Sequence, residues 1–565
     1  MTRPGGGGVR IAAVVVTAVV VAGIARVTLS DATDPATGSA PSPTVSVPPP
    51  EERRPWLQAA CEIPAELFKR IERDHYEGRS PDLIALPQEP NYFGAFVGTS
   101  HSGPWDYIQR VPLVFYGPGT VAPQGELQLD REVTLADIAP TLAEILGTPW
   151  PEDRAGSALT EVLLPEEQRR TPKVIVTVVW DGGGTNVLEQ WPGSWPELTK
   201  LMEEGTSVLD AIVGASPSNT PVAHTNIGTG TFPDQHGIVD IRIRRGRNTV
   251  DSFVNKPGRF VEVSTIADVY DLEVDNEAEI GLFGYHPWHI GMLGHGGRTN
   301  GGDRDLAALV SHRGESIIGV DKRFFEFPEY ADDVPGLEED IAATDAADGT
   351  VDGLWLGRDI FDDTFELKKS PVYIRYQTRV VREMLEREGF GRDDIPDLFF
   401  VNYKPMDTVG HKYNMVKPEM KSSLRATDAE LGELRRILDE VVGPDQWMMI
   451  VTADHGQTPM ARTTDAWPVR LQEMLIDTAI HFRARVSDLF IDKRVGFIFT
   501  NRRGLKKRGI TTEDIADFMS TYTLGDNVET KRVPKGYRDR VDERILAAAW
   551  PTSETERIAA CIRDG

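Results

Sequence analysis

Cysteine is almost absent from this chain: 565 residues contain two, Cys61 and Cys561. Neither lies in a Cys-x-x-Cys motif, which excludes a thiolate metal cluster. In an exported chain such a pair permits one disulfide; otherwise the two are buried thiols. Positive charge is also scarce. Lys and Arg total 61 against 87 Asp and Glu, a formal net charge of −26. No nucleic-acid-binding surface is expected on such a chain. A small anionic substrate would need a locally positive pocket, which metal ions can supply. There is no internal repeat.

Long apolar runs are missing except at the front. Arg3 and Arg10 precede the run Ile11 to Ala25, which Arg26 closes. It is short for a full span and long for a signal h-region, and no clean small-x-small cleavage site follows it directly. Residues 1–29 therefore read as an uncleaved signal anchor or a cleaved signal peptide. Either places the bulk of the chain outside the cytoplasm, membrane-anchored or secreted. Residues 30–56, rich in Pro, Ser and Thr, read as a solvated tether. A segment 57–165 follows, and the main domain spans 172–565. Its irregular, Gly- and Asp-rich stretch 250–375 is expected to be an insertion or cap. Alternating strand and helix signals predict an α/β fold, a mostly parallel sheet sandwiched by helices.

What the chain does have is carboxylates and imidazoles placed after apolar runs. Asp181 ends Val174-Ile-Val-Thr-Val-Val-Trp-Asp. Asp407 and His411 close Phe399-Phe-Val-Asn-Tyr-Lys-Pro-Met-Asp-Thr-Val-Gly-His. Asp454 and His455 end Met448-Met-Ile-Val-Thr-Ala-Asp-His. Short apolar runs read as buried strands, and parallel sheets bind ligands at the carboxyl ends of their strands. Residues far apart in sequence can thus meet. An Asp-plus-His donor set favours zinc over magnesium or calcium. The stretch Ser216-Pro-Ser-Asn-Thr-Pro-Val-Ala-His looks like a loop entering a helix, with Asn219 or Thr220 at the cap. A Thr220 hydroxyl there faces the positive end of a helix dipole and is a candidate nucleophile.

These stretches resemble the alkaline phosphatase superfamily, especially its nucleotide pyrophosphatase/phosphodiesterase-like branch. The resembling residues are Val178-Val-Trp-Asp-Gly, Asn219 through Ile238, Asp407-Thr-Val-Gly-His and Ala453-Asp-His-Gly. The resemblance implies a hydrolase of phosphoric esters with two divalent ions, zinc by preference, which the N-terminal segment would make an exported one. Asp181, Thr220, Asp454 and His455 would hold one ion, and Asp407, His411 and a further His the other. Thr220 would form a phospho-threonine intermediate. A phosphodiesterase or nucleotide pyrophosphatase is the leading expectation. The alternatives are a phosphomonoesterase on the same site and an inactive, surface-anchored binding module.

The further His departs from the family order. His481, the sole His after His455, lacks the family motif. The matching motif is Gly98-Thr-Ser-His101, near the front. Segment 57–165 therefore resembles the family's C-terminal part, as if the chain were circularly permuted. On that reading Cys61 and Cys561 sit at the two cut ends, and a disulfide between them is expected. At about the place where the family carries an Asn after its His-Gly-Ile run, this chain has Ile241. Arg242 and Arg244 are the candidate anion clamps in its stead, and His286 and His289 are candidate lining of a leaving-group pocket. No Cys-x-Pro-x-Arg is present, which disfavours a sulfatase.

Overall fold

The computed structural model describes residues 48–310, 317–528 and 533–564. The expected N-terminal signal segment and most of the tether lie outside these. The tether ends earlier than expected: Pro55–Cys61 is already a helix, and Trp56 on it is 1% exposed. Proline suits the first helical turn, where its missing N–H costs nothing. Among the described residues no helix is long and apolar enough to cross a membrane.

The main sheet is built around strand Val174–Trp180, which is buried at every position. Such continuous burial is what a β-branched run achieves when both sheet faces are covered. It pairs in parallel with Asp397–Tyr403 on one side and Trp447–Ala453 on the other. Ile280–Gly284 and then Asp305–Val310 extend the parallel array beyond Asp397–Tyr403. On the opposite flank Leu113–Tyr116 runs antiparallel to Trp447–Ala453, followed by Thr206–Val208 and Gly125–Leu127. The α/β fold with a mostly parallel sheet is therefore present.

The stretch 250–375, expected to be an insertion or cap, belongs in part to the main sheet. It supplies Ile280–Gly284 and Asp305–Val310 to the main sheet, both fully buried. Gly281 and Gly284 kept the first from reading as a strand. Gly281 is required there, because a Cβ would lie 2.8 Å from the Phe399 ring.

A second core lies under a four-stranded antiparallel sheet, ordered Phe490–Lys493, Phe497–Thr500, Leu83–Pro87, Leu546–Pro551. The front of the chain thus supplies an inner strand flanked by two from its rear. Trp56, Phe68, Ile515 and Trp550 fill this core. Cys61 and Cys561 are joined by a disulfide at its edge, with Cα atoms 5.7 Å apart.

Candidate active site

Strand register builds the site. Trp180 sits level with Tyr403 on one neighbour and Ala453 on the other. The next residues, Asp181, Lys404 and Asp454, therefore leave the sheet side by side. The turn after Asp181 needs glycine: Gly182 has φ +69°, and a Cβ there would lie 3.0 Å from the Asp407 backbone. Gly182 N donates to Asp454 Oδ1 at 2.9 Å, locking two strand ends together.

Asp407 and His411 lie on helix Pro405–Tyr413. Four residues apart, they share a helix face, and His411 Nε2 is 3.2 Å from Asp407 Oδ1. His101, from the front segment, reaches the same place, with Nε2 3.2 Å from His411 Nε2 and 3.6 Å from Asp407 Oδ1. On the sheet side His455 Nε2 lies 3.7 Å from Asp181 Oδ1 and 3.5 Å from Asp454 Oδ2. The expected residues thus gather into two adjoining trios, His101–Asp407–His411 and Asp181–Asp454–His455. Asp407 Oδ1 is 3.9 Å from His455 Nε2, so the trios abut.

Thr220 opens helix Thr220–Thr229, with Asn219 at the cap accepting from Val222 N. It lines a cavity of about 360 Å³ together with His101, Lys404, Asp407 and His411. The nucleophile candidate and the His101–Asp407–His411 trio therefore face one space, and the buried Asp181–Asp454–His455 trio abuts it through Asp407.

The donor atoms suit divalent ions. Each of His101, His411 and His455 directs Nδ1 at a backbone carbonyl: Ser218 O at 3.2 Å, Thr99 O at 3.2 Å and Gly456 O at 3.0 Å. A carbonyl can only accept, so these nitrogens carry the proton and each Nε2 lone pair faces the centre. That is the tautomer a metal-ligating imidazole requires. Asp407 Oδ1, Asp454 Oδ2 and His455 Nε2 are buried without a hydrogen-bond partner. Orphaned buried acceptors are costly unless a cation satisfies them.

Three residues of the site were not anticipated. Lys404 Nζ donates to Asp181 Oδ1 at 2.9 Å, pairs with Asp407 Oδ2 at 2.8 Å, and lies 3.4 Å from Thr220 Oγ1. Burial would lower its pKa, but Asp181 and Asp407 outweigh that and raise it, so it stays charged. Asn402 Nδ2 donates to Asp181 Oδ2 at 3.2 Å and to His224 Nε2 at 2.9 Å. His224 in turn donates from Nδ1 to Thr220 O at 2.8 Å. Its spacing, one turn after Thr220, was the available signal. Burial raises Asp407 and Asp181 too, yet both are held below the carboxylate range, Asp407 by His411 and Lys404 and Asp181 by Lys404. Asp454 goes the other way, pushed up by burial and by the Asp181 charge.

Arg242 and Arg244 are not anion clamps. Both belong to the hairpin Arg242–Arg245 and Asn248–Asp251. Arg242 is held by Asp251 at 2.8 Å and Asp492 at 3.0 Å. Arg244 is buried against Asp82 and the Thr500 carbonyl. Carboxylates distant in sequence have claimed both. Arg494 instead lines the cavity beside Ile241, its Nε 3.7 Å from Asp240. His286 lines the cavity mouth and stacks on Trp288, ring centroids 4.3 Å apart. His289 does not line it: it is fully buried behind Asp181, Nε2 3.6 Å from Oδ2. Asp181, His224 and His289 form a third close group there.

Residues 175–485 match the profile of the family described as type I phosphodiesterase / nucleotide pyrophosphatase. Among curated proteins, alkaline phosphatase PhoD of Zymomonas mobilis is 23% identical over 311 residues, covering 50% of this chain and 53% of that one. The chain thus spans about half the length of that relative. Alkaline phosphatase PafA of Elizabethkingia meningoseptica is 19% identical over 433 residues, 66% of this chain and 78% of the relative. A crystal structure of wild-type alkaline phosphatase PafA superposes with a TM-score of 0.49 at 14% identity, over 67% of this chain and 84% of that chain.

Proposed function

The chain belongs to the type I phosphodiesterase / nucleotide pyrophosphatase family, and from that premise we propose that it hydrolyses phosphoric esters with Thr220 as the nucleophile. The carrying observation is that Thr220, at a helix start, shares one cavity with the His101–Asp407–His411 trio, which the Asp181–Asp454–His455 trio adjoins. Asp181, Asp454 and His455, with Thr220, would hold one divalent ion, and His101, Asp407 and His411 the other. The mix of carboxylate and imidazole donors favours zinc. Such ions supply charge that polarises the Thr220 hydroxyl and offsets charge on the transferring phosphoryl group.

The chain's own residues do the rest. Asn219 holds the helix start that aims Thr220 into the cavity. The positive end of that helix's dipole favours an anionic phosphoryl group. Lys404 adds a buried positive charge 3.4 Å from the Thr220 oxygen. Attack forms the Thr220 Oγ1–P bond and breaks the bond from phosphorus to the leaving oxygen. Water then cleaves the phospho-threonine and frees Thr220.

The family points to phosphodiester or nucleotide pyrophosphate substrates. A phosphomonoester reading is favoured by one observation, the cationic pair Lys404 and Arg494 beside a cavity that has Ile241 on its wall. Export, anchored or secreted, rests on the Arg-flanked apolar run at residues 11–25. The deciding experiment loads purified protein with zinc and compares an aryl phosphate monoester with the matched diester. Turnover of either, abolished by a chelator and restored by zinc, supports the hydrolase. Zinc-loaded protein inert on both esters would leave the inactive binding module. The ratio of the two rates chooses between diester and monoester.

A further inference from the structure

The three carboxylates of Asp271, Asp303 and Asp305 converge far from the catalytic cavity. Each offers an oxygen, and these lie within 4.8 Å of one another. Asp271 is on helix Ile266–Glu273, and Asp305 is the first residue of strand Asp305–Val310. That strand is parallel to its neighbour Ile280–Gly284, and through it to the catalytic strands. The catalytic residues sit at the carboxyl ends, so this cluster is at the opposite edge, a strand length of roughly 20 Å away.

Clustered acids on a surface usually mean nothing, because water screens them. Here Asp271 is 4% exposed and Asp305 6%. Asp271 Oδ1 is buried with no hydrogen-bond partner. Among the described residues no Lys, Arg or His forms an ion pair with any of the three. Arg304, between two of them in sequence, is turned to the Lys322 carbonyl at 3.2 Å and toward Glu326 at 3.7 Å. Nearby Asp268 is already saturated by Thr265, His295 and Thr299 and cannot relieve them. Burial and mutual repulsion push Asp271 up to about 7 and raise Asp305 well above its ordinary value. The loop carrying Asp303 is also built in place: Asn276, just past the helix end, donates from Nδ2 to Gly301 O at 3.0 Å.

We propose that Asp271, Asp303 and Asp305 form a calcium site, separate from the catalytic centre, that ties helix Ile266–Glu273 to the start of strand Asp305–Val310. Every donor is a carboxylate oxygen, with no imidazole or thiolate, which is the hard set that calcium takes and zinc does not prefer. Backbone carbonyls and water complete such a shell. The ion's role is structural, supplying the countercharge that the protein does not.

The test uses the full chain with its catalytic site loaded with zinc. Calcium chloride is titrated up to about 10 mM, spanning the affinities of extracellular calcium modules. Thermal unfolding and terbium luminescence are followed. Calcium should raise Tm by a few degrees, and terbium should bind and be displaced by calcium. Asp303→Asn, at an exposed position that does not threaten folding, should weaken calcium binding at least tenfold. Asp271→Asn should abolish the calcium-dependent rise. Phosphoric-ester turnover should stay the same in both. A proton shared between Asp271 and Asp303 could balance the same charge. In that case calcium moves neither wild type nor variant, and the proposal is overturned. An equal calcium response in wild type and Asp303→Asn overturns it too.

Discussion

The imidazole of His101 lies flat on that of His455, with ring centroids 3.7 Å apart and planes within 1°. One comes from the front segment, the other from the end of the Trp447–Ala453 strand. Each aims Nε2 at Asp407 Oδ1, from 3.6 and 3.9 Å. The stack therefore joins the two trios, and a shift of the front segment would disturb both.

Thr220→Ala should lower turnover by several orders of magnitude, since the covalent route is lost. Asn219 keeps the helix cap, so the fold should persist. Circular dichroism should match wild type, and most of the zinc binding should remain. Near-normal turnover would remove Thr220 from its role.

Arg494→Ala should reduce kcat/KM by about tenfold or more, the scale of a charge-assisted hydrogen bond. Arg242→Ala should leave kcat/KM unchanged, because its guanidinium is held by Asp251 and Asp492. Steady-state kinetics on one ester, run on both variants, reads the contrast directly.

Acid should destabilise the protein through His236. Its Nδ1 accepts from Ile238 N at 3.1 Å, and its Nε2 donates to Asn226 Oδ1 at 2.9 Å. Burial, with Arg79 adding, pushes its pKa from 6.5 down to about 3. The unfolded chain takes the proton first as pH falls. The contribution of His236 to stability is thus flat above 6.5 and declines from there toward about 3. Denaturant melts of His236→Gln should show a shallower decline over that window, with one proton fewer taken up on unfolding.

Removing the Cys61–Cys561 bond should cost stability, at most about 6 kcal/mol in the chain-entropy account for a closed loop this long. Cys61→Ser with Cys561→Ser should lower Tm without abolishing turnover, because both residues sit in the second core. An unchanged Tm would show that packing alone holds these ends.

The parts of the site legible in the sequence were those set by strand ends. Asp181 and Asp454 follow runs whose burial is continuous, and parallel pairing then leaves little freedom in where they emerge. Lys404 stood in plain view three residues before Asp407, but a lysine after a strand reads as a solvated end. Only the approach of Asp181 from the neighbouring strand makes it a buried cation. Arg242 and Arg244 failed for the converse reason. Their partners Asp492 and Asp82 lie 250 and 162 positions away, and no local pattern announces a long-range ion pair. Ile280–Gly284 was missed because glycine suppresses the strand signal where a close neighbour demands it.

The bond between Cys61 and Cys561 makes the intervening polypeptide a covalent ring. A single proteolytic cut at an exposed loop would open that ring without dividing it. The nicked molecule should migrate as one chain until reduced, and only then separate into two fragments. For an enzyme exposed to proteases, one such cut need not release any part of a site assembled from both ends of the chain.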